Sequence, residues 1–63
     1  MNRINTIIDN YATMEVICSH SAVLFAHDGF FDKSAEMTDR MMEARRQLKM
    51  WIKISQAIRG WQL

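Results

Sequence analysis

The side chains best suited to chemistry stand together at Cys18-Ser19-His20-Ser21, with a second histidine at His27. A nucleophile, a base and metal ligands are therefore present by residue type, but their spacing works against each use. On a helix, neighbours in sequence project in different directions, so Cys18 and His20 face different sides and Ser19, His20 and Ser21 scatter. His20 and His27 are seven residues apart, about 10.5 Å along a helix, too far to share an ion. The chain also lacks a glycine-rich phosphate loop, a nucleophile motif and any grouping of His, Asp and Glu at useful spacing. These residues predict no enzymatic activity, no cofactor and no metal. Cys18, His20 and His27 are expected to be structural, the histidines at most making a pH-sensitive contact at one end of the fold.

The other chemically marked feature is basic. Arg45, Arg46, Lys49 and Lys53 follow one another at helical spacing, and with Arg40 and Arg59 they could neutralise several phosphates. A solvated helix face is the plainest reading, an acidic protein partner another, and a nucleic-acid surface a third. Against the last, the whole chain carries only +1 and no recognised reader motif. The charge is unevenly placed: residues 1–39 hold two basic and six acidic side chains, residues 40–63 six basic and one acidic.

The elements that position these groups follow from composition and periodicity. A 63-residue chain that is 49% hydrophobic and 24% charged has the balance of a folded domain rather than a disordered segment. It has no proline and only Gly29 and Gly60, too little punctuation for a many-turned β domain, so the expected class is all-α in a single domain spanning 1–63. Ile4, Ile7, Ile8, Tyr11, Met14, Cys18, Ala22 and Phe25 recur at steps of three and four, which predicts an amphipathic helix over about 3–27, capped by Asn2 or Asn5. In its second half Val16, Ile17, Val23 and Leu24 make the helix apolar nearly all round, the mark of burial from two directions.

Gly29 predicts a turn over 28–32, with Asp32 or Ser34 capping the next helix and Phe30 and Phe31 plugging the end. From about 33 to 59, Met37, Met41, Ala44, Leu48, Trp51, Ser55 and Ile58 alternate in steps of four and three, a seam for another helix. Gly60 is expected as its C-cap, leaving Trp61-Gln62-Leu63 as a tail. The simplest arrangement is an antiparallel helical hairpin. One seam offers a chain this short little core, so dimerisation into a helical bundle is also expected.

Apolar residues remain outside that seam. Met42, Met50, Ile54 and Trp61, together with the far side of Trp51, are the candidate partner-binding residues, with Arg45, Arg46, Lys49 and Lys53 as a basic rim. Burial in a homodimer competes for the same side chains. A lone Cys18, no apolar run fit for a signal peptide, and a longest unbroken apolar stretch of only Ala22 to Ala26 predict a cytoplasmic protein without a membrane span.

The opening Met1-Asn2-Arg3-Ile4-Asn5-Thr6-Ile7-Ile8-Asp9-Asn10-Tyr11, the His27-Asp28-Gly29-Phe30-Phe31 turn and the pair Trp51 and Trp61 resemble a family of small early proteins of lambdoid phages. Its members are encoded by short reading frames between the exonuclease and excisionase genes. The resemblance spans essentially the whole chain and carries over no site residue. It implies a non-enzymatic regulator made early in infection, acting in the bacterial cytoplasm on a host or phage protein to favour lytic development or disturb the host cell cycle. The alternative is a nucleic-acid-binding hairpin dimer using the basic face. Plasmid copy-number proteins of similar length and hairpin layout dimerise and bind RNA, although their sequence pattern is not shared and fold alone does not carry function.

Overall fold

A computed structural model describes residues 3–61, and they form two helices: α1 (Arg3–His27) and α2 (Phe31–Trp61). They pack antiparallel as a hairpin with Cα extents of 52 × 18 × 11 Å. The fold class is thus all-α, as the periodicity predicts. Asn2 and the tail residues Gln62 and Leu63 lie outside the described residues, as does the side chain of Trp61.

The turn is built from three residues. Gly29 takes a φ of 85°, and its amide donates to the carbonyl of Ala26 (3.1 Å) while that of Phe30 donates to Phe25 (2.8 Å). This pair of bonds is a Schellman motif, which satisfies carbonyls that the end of α1 would leave orphaned. Its usual apolar contact is also present, because the Phe25 and Phe30 rings meet edge to face at 6.4 Å. Phe30 then starts the next helix, its carbonyl accepting from the Ser34 amide (2.9 Å).

Phe30 itself is therefore the capping position of α2, which corrects the expectation for Asp32 and Ser34. Asp32 lies inside the first turn, where its charge complements the helix dipole. Ser34 sends its hydroxyl across the hairpin to the carbonyl of Ala22 (2.8 Å). The plug is corrected in part as well: Phe30 packs on Phe25, but Phe31 is 70% exposed.

Two further expectations change. Met14 is 47% exposed, and Glu15 occupies the inward position in its place. The inward steps become Tyr11, Glu15, Cys18, Ala22 and Phe25, a seven-residue repeat matching that of α2. Gly60 does not cap α2, since the helix continues through the backbone of Trp61 and Gly29 is the one glycine at positive φ. A helix tolerates one glycine at a cost of about 1 kcal/mol and does not have to stop there.

The buried side chains of the seam are Cys18, Ala22, Ala44 and Ser55, all small, with Leu48, Trp51 and Ile58 half-buried around them. Small residues let the helix axes approach, and the larger apolar groups then line the edges. Enlarging Ala44, which is 2% exposed, should push the helices apart: Ala44→Leu is expected to cost about 1–3 kcal/mol in denaturant unfolding followed by circular dichroism. The two glycines should respond with opposite signs. Nothing lies within 4 Å of a Cβ added at Gly60, so Gly60→Ala should stabilise by up to about 1 kcal/mol, whereas Gly29→Ala at positive φ should destabilise by a similar amount or more.

Candidate protein-binding surface

The register of the hairpin is set by two cross-helix bonds, Ser34 to Ala22 near the turn and Arg45 Nε to Glu15 Oε1 (3.0 Å) at mid-height. Glu15 is an inward residue of α1, with only 22% of its side chain exposed, and it meets a guanidinium thirty residues away in sequence. A carboxylate is acceptable at the edge of an apolar seam when a cation pairs with it there.

This ion pair also joins two shallow surface depressions into one face. Glu15 lines the first with Val16, Ser19, His20 and Val23, and Arg45 lines the second with Met42, Arg46 and Lys49. The result is a flank of the hairpin with the Glu15–Arg45 pair between the helices, exposed Val16 and Val23 on its α1 side, and exposed Met42 with Arg46 and Lys49 on its α2 side. We refer to it as the basic flank. Ile52, also exposed, lies seven residues beyond Arg45 and so continues the same strip of α2.

The opposite flank is more apolar. Met14, Ile17 and Leu24 are spaced by three and seven along α1, and all are exposed. On α2, Met50 and Ile54 are four apart, turned away from the strip that carries Arg45 and Lys49. Met50 is exposed and Ile54 half-buried at the seam edge.

The candidate residues read from the sequence are therefore divided. Met42 stands with Arg45, Arg46 and Lys49, and exposed Lys53 lies one turn beyond Lys49. Met50 and Ile54 belong to the other flank, and Trp51 is half-buried in the seam between them. Val16 and Val23 were not among the expected site residues. Their signal was the seven-residue step that they share with Met42 and Lys49, but only the Glu15–Arg45 bond shows which strip of α2 lies beside them.

Arg40, Arg45, Arg46 and Lys33 are engaged within the hairpin. Besides Arg45 on Glu15, Arg46 bonds Glu43 (2.6 Å) and Arg40 bonds Glu36 (2.9 Å), while Gln47 also donates to Glu43 (3.2 Å). At the turn, the Lys33 ammonium lies 5.7 and 5.6 Å from the centres of the Phe25 and Phe30 rings. His27 Nδ1 is 3.4 Å from Asp28 Oδ1, a contact between neighbours in sequence and exposed at the hairpin end. Among the described residues, no three His, Cys, Asp or Glu side chains converge as a metal site, and no helix is long and apolar enough to cross a membrane.

A double-mutant cycle with Glu15→Gln and Arg45→Met should give a coupling of about 0.2–1 kcal/mol that shrinks as salt is added, since the pair is partly exposed. No family model, curated protein or solved structure matches this chain.

Proposed function

We propose that this chain is a non-enzymatic interaction protein that docks an amphipathic, acidic helix of a partner protein on its basic flank. The observation that carries this reading is a flank that exposes Val16 and Val23 of α1 and Met42 of α2 on either side of the Glu15–Arg45 pair, with Arg46 and Lys49 alongside Met42. A helix laid on that face buries its apolar side against the valines and methionine and meets cations with its acidic edge. Methionine suits such a surface because its unbranched side chain adapts to the partner.

The resemblance to early proteins of lambdoid phages supplies a setting: a regulator in the bacterial cytoplasm whose target is a host or phage protein controlling lytic development or the host cell cycle. A phosphate backbone is the weaker ligand for this face. Phosphate leaves the exposed Val16, Val23 and Met42 uncovered, whereas the apolar side of a helix covers them.

The test is affinity capture from infected host cells with the wild-type chain and the variants Met42→Glu and Lys49→Glu. The expected result is one or a few proteins retained by wild type and reduced about tenfold or more by either variant, with helicity unchanged by circular dichroism. Equal retention by all three chains would sink the reading. Capture of nucleic acid with a steep loss on raising salt would replace it with the phosphate-binding alternative.

A further inference from the structure

We propose that the opposite flank, carrying Ile7, Met14, Ile17 and Leu24 of α1 with Met50 and Ile54 of α2, is the seat of a second copy of this chain. In this pairing the hairpins lie head to tail, the turn of each beside the open end of the other. The inference does not rest on the proposed partner, because it concerns the other side of the hairpin.

Three observations carry it. The first is area: a folded monomer of 7.4 kDa is expected to expose about 4,200 Å², yet the hairpin exposes 5145 Å². The excess of about 900 Å² is close to the ~800 Å² that each partner contributes to a standard interface. The second is continuity. On α1 the flank is apolar from Ile7 near the open end through Met14 and Ile17 to Leu24 near the turn, while on α2 Met50 and Ile54 cover the open-end half and the Glu36–Arg40 pair with Glu43 the turn half.

The third observation is charge, and it selects the orientation. The half of the hairpin nearer the turn, residues 16–44, carries five acidic and two basic side chains. The half nearer the open end, residues 3–15 and 45–61, carries six basic and two acidic. Head-to-tail pairing lays each acidic half on a basic half, whereas pairing turn to turn superposes like charges.

Charge also weighs against the basic flank in this role. The Glu15–Arg45 bond marks mid-height, where the two-fold axis of a head-to-tail pair passes, so pairing there would set Lys49, one turn from Arg45, against its own copy. On the apolar flank the mid-height positions are Met14 and Ile17, with Glu43 already held by Arg46 and Gln47.

Sedimentation equilibrium of the full chain should give twice the 7.4 kDa chain mass, with the dissociation constant rising as salt is added. The double variant Ile17→Asp, Leu24→Asp should weaken the dimer by at least about tenfold. Met42→Glu should leave it intact. Because the double variant could also lose its fold, orientation is read in an otherwise native chain. With Cys18→Ala and a spin label on Asp28→Cys, electron-spin distance measurement should place the two turns nearly the 52 Å hairpin length apart. A chain that stays at 7.4 kDa at all concentrations would overturn the proposal. So would a turn-to-turn distance within about 10–20 Å, the spacing of neighbouring helices, or a dimer that tightens with salt.

Discussion

The hairpin depends on close approach of two helices through small side chains. Cys18 and Ala22 on α1 and Ala44 and Ser55 on α2 are the buried residues, and no large side chain is fully enclosed among those described. Close approach gives each helix many weak contacts along its length, but it leaves no space between the axes for Met14, Ile17, Leu24, Met42 or Met50. Their exposure follows from their places around the helices, off the seam, where a two-helix hairpin has no third element to cover them. A seam of leucines at the same positions would have enclosed more apolar area within one chain and left less on the flanks.

Polar groups complement this packing instead of interrupting it. The Ser34 hydroxyl spans the helices to an Ala22 carbonyl, and the Glu15 carboxylate is met by Arg45. Neither bond is strong by itself, since hydrogen bonds and partly exposed ion pairs each contribute on the order of 1 kcal/mol or less. Their contribution is to register: one bond fixes the hairpin near its turn and the other at its middle, and a slip of one residue breaks both.

Much of this was legible in the sequence, for identifiable reasons. The three-four spacing from Met37 to Ile58 has one apolar solution, and Gly29 is the one glycine between the two periodic segments, so helices and turn could be placed from local information. Met14 and Glu15 could not be ranked locally, because both lie three or four residues from inward neighbours and the carboxylate is favoured only through Arg45, thirty positions away. Gly60 misled because a glycine near a helix end carries the same letter whether it caps the helix or continues it, and only the backbone angle distinguishes them. The division of Met42 from Met50 is likewise a property of the packed pair, since the seam must be known before its two sides can be named.

The tightness of the turn has a consequence for how the molecule assembles. Closing the chain between Ala22 and Ser34 encloses far fewer residues than closing it between Glu15 and Arg45, and loop-closure entropy grows with the length enclosed. Once Gly29 has reversed the chain, each further pair of facing residues joins a loop already shortened by the pair before it. The hairpin therefore closes like a zip from Phe25 and Phe30 outward, on the fast timescale of helical proteins rich in local contacts. The same gradient makes Ile4 and Ile58 the last residues to lock and the first to release, so conformational breathing concentrates at the cationic extremity while the aromatic turn stays closed.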